Sequence, residues 1–226
     1  MKKILFGSVI VMMVITGAFA EGNEDQNMAL KVGTLGLGVD YSTTINKDMA
    51  FRFNINGAST SRKETIDSTK YDGDLKLLTV GALLDYYPSE GTFRLTAGAY
   101  YNANKFDLVA TPSLSDSISI GDNSYTGAEI GHLNSTVEFN KIAPYIGLGW
   151  GNKPSAEKGW GFTFDLGAMY QGSAIATAEA IVNNAVSQTV KNKITTDVEQ
   201  ERQKIEDDMG SYTWYPVIMI GVNYTF

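Results

Sequence analysis

The sequence contains no cysteine and a single histidine, His132. Without cysteine, the chain forms no disulfide bond, carries no catalytic thiol and binds no metal through sulfur. A metal site would have to use carboxylates, but the acidic run Glu206, Asp207 and Asp208 consists of neighbours that do not share a helix face. No calcium-loop spacing is present either. We therefore expect neither a metal nor another cofactor.

Basic residues are also in the minority. The chain has 18 Lys and Arg against 25 Asp and Glu, which gives a formal net charge of −7. Proteins that bind nucleic acid cluster Lys and Arg on one face. The acidic balance therefore argues against a nucleic-acid partner.

Long apolar runs are absent after the first twenty residues. At the start, Lys2 and Lys3 precede residues 4–17, an apolar run of 14 residues, and residues 18–20 read Ala-Phe-Ala. This order is typical of a secretory signal peptide with its cleavage site. A membrane anchor is the alternative, but a spanning helix needs about 20 apolar residues. We expect residues 1–20 to be a signal peptide and residues 21–226 to form one domain, whose membrane spans, if any, must be strands.

The rest of the chain is dominated by segments in which apolar residues alternate with small or polar ones. Seven segments show this pattern clearly: residues 29–41, 49–57, 75–87, 92–102, 143–150, 160–170 and 214–226. Strict alternation indicates strands with one apolar face. A soluble β-sandwich also alternates, but the other face here carries many glycines, such as Gly81, Gly98 and Gly167. Glycine suits the narrow interior of a small barrel better than a solvated face.

Aromatic residues concentrate at the ends of these segments. They are Tyr86, Phe93, Trp150, Trp160 and Trp214. Aromatic girdles at both interfaces are typical of membrane barrels. The sequence therefore predicts an all-β fold, a single antiparallel transmembrane β-barrel with these five residues at the lipid interfaces.

The number of strands does not follow directly from the alternating segments. Bacterial single-chain barrels have even strand counts, so seven clear segments leave one strand unassigned. We expect it within residues 105–140, where alternation returns, for example at Phe106 and Leu108 and again at Leu133 and Val137. The prediction is eight strands, with ten as the alternative.

One short helix is expected before the last strand. Thr196 and Glu199 have the spacing of a capping box, and Gly210 is a plausible C-cap. Residues 197–209 between them favour a helix, in which Arg202 can pair with Glu206 at i+4.

Residues 88–91, Pro-Ser-Glu-Gly, predict the turn of a hairpin. A turn centred between residues 89 and 90 places Tyr86 opposite Phe93 on the lipid side. It also places Asp85 opposite Arg94 on the lumen side, where an acid and a base stabilise each other.

Several charged residues share the predicted lumen face. They are Asp40, Arg52, Asp85, Arg94 and Asp165. These charges could form an ion path or a salt-bridged plug. The plug is favoured, because the interior of an eight-stranded barrel is only wide enough for side chains.

Two segments carry a resemblance to known proteins. Residues 214–226 alternate to the last residue and end in Tyr224-Thr225-Phe226, and residues 143–150 read Ala-Pro-Tyr-Ile-Gly-Leu-Gly-Trp. They resemble the closing strand and the Pro-Tyr-x-Gly-x-Gly strands of small bacterial outer-membrane β-barrels, the OmpA/OmpW-like class. The resemblance covers nearly the whole mature chain in architecture.

The resemblance implies a location in the bacterial outer membrane and a monomer surrounded by outer-membrane lipid. It further implies that Tyr224 and Phe226 belong to the signal read by the barrel assembly machinery. Phe226 should then lie at the periplasmic rim and Trp214 near the outer one.

The class contains pores, adhesins, envelope-anchoring proteins and enzymes, so the fold alone does not choose a function. Its lipid A deacylases place His and Ser two residues apart, whereas His132 and Ser135 are three apart and fall on opposite strand faces. We therefore expect a non-enzymatic barrel with a structural or envelope role or a narrow pore, and with exposed polar loops. The alternatives are a small-solute transport channel and, less favoured, a lipid-modifying enzyme.

Overall fold

The structure is a computed structural model that describes residues 25–226 except residues 67 and 90. The predicted signal peptide lies outside the described residues. The strands are β1 (Gln26–Gly33), β2 (Gly36–Asn46), β3 (Met49–Ile66), β4 (Thr69–Tyr86), β5 (Phe93–Asn102), β6 (Lys105–Thr111), β7 (Ser117–Ile120), β8 (Asn123–Thr126), β9 (Ile130–Glu138), β10 (Ile142–Trp150), β11 (Gly159–Tyr170), β12 (Ile175–Val182) and β13 (Trp214–Thr225), and the helix is α1 (Gln188–Met209). Within this described part, no helix is long and apolar enough to cross a membrane.

Eight strands close into a barrel in the order β1, β2, β3, β4, β5, β10, β11 and β13, with β13 pairing back to β1. Every pairing in this ring is antiparallel. The prediction of an all-β, eight-stranded antiparallel barrel with one helix before the last strand is confirmed. The pairing of Asn27 with Thr225 places both ends of the barrel chain at one rim. We name it the terminal rim and the opposite one the distal rim.

The barrel wall is apolar on its outside. On β13, Ile218, Ile220 and Val222 are exposed, whereas Val217 and Met219 on the alternate positions are buried in the lumen. Exposed apolar surface is unfavourable in water by about 25 cal/mol per Å². It is favourable against lipid, and an outward apolar band is the property of a transmembrane barrel.

The eighth strand does not lie where the sequence analysis expected it. Residues 29–41 form the hairpin of β1 and β2 rather than one strand, and its tight turn has Gly36 at a φ of +93°. The outward residues change parity across the turn, from Leu30 and Val32 before it to Leu37 after it. This change of parity is present in the sequence and marks the missing strand boundary.

Residues 105–140 lie outside the barrel instead. Strands β3 and β4 are 18 residues long and continue beyond the distal rim. There β4 pairs with β6, β6 with β9, and β9 with β12. We name this extension, with the distal halves of β3 and β4, the outer sheet.

The barrel and the outer sheet separate at residues 102–105, between β5 and β6, and we name this position the branch point. Thr79 pairs with Asn102 and Lys76 with Lys105, so β5 and β6 keep the same register against β4. Asn104 Oδ1 accepts a 2.9 Å hydrogen bond from the Leu78 backbone N–H and interrupts the ladder between them. On the barrel side of this point, β5 pairs with β10. On the outer side, β6 pairs with β9.

Helix α1 begins earlier than predicted. Its N-cap is Ser187, whose side chain accepts from the Val190 N–H, so the helix starts nine residues before residue 197. The capping box at Thr196 and Glu199 is therefore wrong, although Gly210 is the C-cap. The reason is tertiary, because Ile194 is fully buried against the outer sheet and stabilises the early turns.

The predicted register of the β4–β5 hairpin is also wrong. Tyr86 pairs with Leu95 and Asp85 with Thr96, a shift of two residues from the prediction. The backbone N–H of Tyr87 donates to the Asp48 carbonyl oxygen at 2.8 Å, so Tyr87 continues the pairing with the β2–β3 turn and not with β5. Because an even shift preserves the faces, Asp85 still shares the lumen side with Arg94. Glu90, in the predicted turn, is not among the described residues.

The β1–β2 hairpin predicts a selective glycine effect. Gly36→Ala should lower the free energy of unfolding by about 1–3 kcal/mol, because a side chain is strained at this φ and its Cβ would lie 2.4 Å from Gly57 O. Urea unfolding of protein folded in lipid vesicles measures the change. Gly73→Ala is the control, since its Cβ would meet no heavy atom closer than 3.7 Å. Equal stability of the two variants would contradict the hairpin geometry.

Candidate functional sites in the lumen and the outer layer

Six charged side chains fill part of the lumen, and none is more than 4% exposed. They are Lys31 on β1, Asp40 on β2, Arg52 on β3, Asp85 on β4, Arg94 on β5 and Asp165 on β11. We name this group the lumen cluster. The structure brings together the five charges named from the sequence and adds Lys31. Lys31 cannot be assigned to the lumen from the alternation of residues 29–41, because these residues alternate as if they formed one strand.

Arg52 lies at the centre of the cluster. Its Nη1 donates to Asp40 Oδ2 at 3.1 Å and to Asp165 Oδ1 at 3.1 Å, and its Nη2 donates to Asp85 Oδ1 at 2.9 Å. One guanidinium thus joins carboxylates from three other strands. The planar fork of Arg suits this bridging geometry.

The other two cations complete the charge balance. Lys31 pairs with Asp40 and lies 2.6 Å from Asp165 Oδ2. Arg94 Nη2 lies 2.5 Å from Asp165 Oδ1, and Thr96 donates to Asp85 at 2.6 Å. Three cations therefore face three carboxylates, so the cluster is neutral. Neutrality matters because an unpaired charge in a dry interior is strongly destabilising.

A layer of apolar and aromatic side chains fills the lumen between the cluster and the distal rim. The rings of Tyr100 and Tyr145 meet edge-on with centroids 5.3 Å apart. Their buried neighbours are Leu35, Leu83, Ala143, Met169, Val217 and Met219. Glycine provides the space for these rings, since a Cβ on Gly147 would lie 2.3 Å from the Tyr145 hydroxyl. The lumen glycines are thus a consequence of crowding.

The five aromatic residues predicted at the lipid interfaces lie at strand ends on both rims. Tyr86, Phe93, Trp150 and Trp160 are at the terminal-rim ends of β4, β5, β10 and β11, and Trp214 is at the distal end of β13. Phe93 and Trp150 are in contact, with centroids 5.4 Å apart. The backbone N–H of Phe226 donates to Gln26 O at 3.1 Å, which places the last residue at the terminal rim.

A second core holds α1 and the β7–β8 hairpin on the outer sheet, and we name this assembly the outer layer. Its buried residues are Ala110, Ile118, Ile120, Tyr125, Ile130, Leu133, Ile194 and Val198. The carboxylate of Asp197 accepts hydrogen bonds from Asn123 Nδ2 at 2.8 Å and from the Tyr125 hydroxyl. Burial and this carboxylate raise the pKa of Tyr125 to about 12. The helix is therefore fixed by polar contacts as well as by apolar packing.

A partly open cavity of about 550 Å³ lies between α1 and the outer sheet. We name it the outer cavity. Its apolar lining comes from Leu75 and Leu77 on β4, Phe106 and Leu108 on β6, Leu133 and Val137 on β9, and Ile205 and Met209 on α1. Tyr215 on β13 also lines it and packs against the apolar layer of the lumen. The outer cavity thus adjoins the distal end of the filled lumen.

The residues considered for catalysis are not brought together. Ser135 lines the outer cavity, whereas His132 lies three residues away on the same continuous strand and so on its other face. Among residues 25–66, 68–89 and 91–226, no group of three or more His, Cys, Asp or Glu side chains is placed to hold a metal ion.

The lumen cluster predicts a large difference between two arginines of β3. Arg52→Met leaves three buried carboxylates facing two cations, so the free energy of unfolding should fall by about 3–5 kcal/mol. Arg62→Met is the matched control, because Arg62 is exposed and its pair with Glu64 is 3.7 Å long. The control should change stability by less than about 1 kcal/mol. Urea titration in vesicles measures both.

Removing one carboxylate as well should rescue Arg52→Met. The double variant Arg52→Met/Asp85→Leu restores a neutral cluster, so we expect a more stable barrel than with Arg52→Met alone. A double variant that is less stable than either single variant would show that neutrality is not the governing property.

The contact between Tyr125 and Asp197 predicts how firmly α1 is held. Tyr125→Phe leaves the buried Asp197 with fewer partners, a loss of about 1–3 kcal/mol. Trypsin should therefore cut faster at Lys191 and Lys193, while heat-modifiable migration of the barrel stays native. Tyr212→Phe, at an exposed tyrosine, serves as the control. Identical digestion of both variants would argue against this anchor.

The whole-chain comparisons concern the fold. No family model and no curated protein matches this chain. Solved structures do match, among them the crystal structures of Acinetobacter baumannii CarO2 and CarO, with TM-scores of 0.54 and 0.55. Each is 24% identical, and each match covers 91% of this chain and 100% of that chain. The chain therefore forms an eight-stranded β-barrel that is similar in fold to these two CarO structures.

Proposed function

We propose that this protein is a non-enzymatic structural barrel of the bacterial outer membrane, in which a sealed lumen supports the outer layer at the cell surface. The observation that carries this proposal is the lumen cluster. Three cations and three carboxylates are paired with each other, and the Tyr100 and Tyr145 layer lies beside them. Together these groups occupy the space that a conducting pore would need.

The cluster supports a plug over an ion path for an energetic reason. An ion path needs charges that water or a passing ion can reach, whereas these six side chains are almost completely buried. Moving one member away would leave its partner charged and unpaired in a dry interior, at about 3–5 kcal/mol. The narrow pore and the small-solute channel are therefore the weaker hypotheses.

The lengths of the connections support the orientation. At the terminal rim, β2 and β3 are joined by the two residues 47 and 48, whereas the distal side carries the whole outer layer. Outer-membrane barrels have short periplasmic turns and longer extracellular loops. We accordingly assign the terminal rim to the periplasm and the outer layer to the cell surface.

The proposed partners follow from the same arrangement. The outward apolar band, for example Phe162 and Ile220, is suited to outer-membrane lipid. Tyr224 and Phe226 at the terminal rim are available there as the assembly signal. We propose a monomer, because a closed eight-stranded ring leaves no barrel edge that requires a second copy.

Planar-bilayer recording on the refolded full chain tests the sealed lumen. We expect no reproducible single-channel steps, with a porin reconstituted in the same way as the positive control. Stable steps from the native chain would contradict the proposal, most clearly if Lys31→Met changed their ion selectivity.

The enzymatic alternative is tested separately by lipid analysis. Outer-membrane lipid from cells that express the native chain should have the same mass spectrum as lipid from cells without it. A modified lipid that disappears with His132→Ala would overturn the non-enzymatic assignment.

A further inference from the structure

We infer that the outer cavity binds the linear acyl chain of an amphiphile. The cavity volume of about 550 Å³ is within the range of about 300–1,000 Å³ typical of small-molecule sites. Its walls are the inward faces of three adjacent strands on one side and α1 on the other. A concave site with a mainly apolar lining is suited to apolar ligands.

The open space is not explained by poor packing of the outer layer as a whole. In the second core of the same outer layer, Ile120 on β7, Ile130 on β9 and Ile194 on α1 are almost completely buried. By contrast, Phe106 is 40% exposed and Leu75 is 37% exposed, although both point towards the cavity. The outer layer thus packs tightly at one end and leaves large apolar side chains uncovered at the other. Such uncovered surface marks a binding site.

The polarity of the surroundings favours a molecule with one apolar tail and one polar head. An adjoining groove of about 390 Å³ shares Leu75, Phe106 and Leu108 with the cavity and is more polar at its other side. There it is lined by Thr60, Arg62 and Glu64 on β3. The tail would lie in the apolar space under α1, and the head would lie in this groove.

The volume favours a chain of medium length. A methylene group is close in size to a water molecule, whose share of liquid volume is about 30 Å³. The cavity therefore has room for a chain of a dozen or more carbons. On β4 the outward apolar band ends between Leu78 and Lys76, which is the height along the strand at which Leu75 and Leu77 line the cavity from the other face. An amphiphile from the adjacent lipid leaflet would therefore enter the cavity at the height where the apolar band ends.

Photolabelling tests the site. The full chain is refolded and transferred to amphipol, since detergent tails would compete for the cavity. It is then irradiated with a tetradecanoic acid probe that carries a diazirine at the end of its chain. We expect labelled residues on β6 and α1, among them Phe106, Leu108 or Met209.

Two variants of one strand supply the matched comparison. Leu108→Trp fills the cavity and should reduce this labelling at least fivefold, whereas Val109→Trp, on the other face of β6, should leave it unchanged. If Leu108→Trp does not show heat-modifiable migration, Ile205→Trp fills the same space from the helix side. Labelling of β6 and α1 that persists in the folded filled variants would overturn the proposal. Labelling confined to outward residues such as Phe53 and Leu84 would also overturn it.

Competition then identifies the source of the chain. Unlabelled saturated acids from eight to twelve carbons should compete about fourfold more strongly per added methylene, as expected for burial of one such group. Independence from chain length would count against an acyl-chain site. Stronger competition by tetradecanoic acid than by a 14-carbon lysophosphatidylcholine would indicate a free fatty acid, and the reverse order would indicate a lysophospholipid.

Discussion

The structure depends on the neutralisation of buried charge inside a narrow cylinder. The six residues of the lumen cluster come from six different strands, and each must meet its partners at a distance of about one hydrogen bond. A slip of one residue in any of these strands would turn its charge towards lipid and its apolar residues inwards. The cluster therefore fills the lumen and also stabilises the observed strand register over registers shifted by one residue.

The same crowding explains the composition of the wall. Glycines such as Gly81 and Gly147 accommodate the large lumen side chains Asn54, Tyr100 and Tyr145. Outside, most of the alternate positions are apolar up to the branch point at residues 102–105. Beyond it, β3 and β4 continue, but the strand next to β4 changes from β5 to β6, and the strand after that changes from β10 to β9. One sheet thus forms both the closed barrel and the outer layer, and the outer cavity develops where the two meet.

Much of the barrel can be predicted from the alternation of apolar and polar residues, and the wrong predictions have physical causes. Period-two patterning identifies the faces, which is why Asp40, Arg52, Asp85, Arg94 and Asp165 could be assigned to the lumen before any geometry was known. It does not show where the chain reverses direction, so residues 29–41 are predicted as one strand and Lys31 is not assigned to the lumen. The parity change around Gly36 would have corrected both.

The outer layer was less predictable because its cause is tertiary. Residues 105–140 would show the same alternation whether they formed a strand of the barrel or strands of the outer sheet. The start of α1 depends on the burial of Ile194 against distant strands, and helix propensity alone does not contain that information. The outer cavity has no sequence signature, since its lining comes from the separate elements β4, β6, β7, β9, α1 and β13.

The most direct test of the sealed, charge-balanced lumen is the exchange of arginine side-chain protons with water. The chain has four arginines, of which Arg52 and Arg94 belong to the lumen cluster and Arg62 and Arg202 do not. In protein labelled with ¹⁵N-arginine in lipid nanodiscs, the guanidinium protons of Arg52 and Arg94 should exchange slowly and give separate resonances at neutral pH. The guanidinium protons of Arg62 should exchange rapidly with water and give no separate resonances. Fast exchange at all four arginines would show that water fills the lumen and would contradict the account.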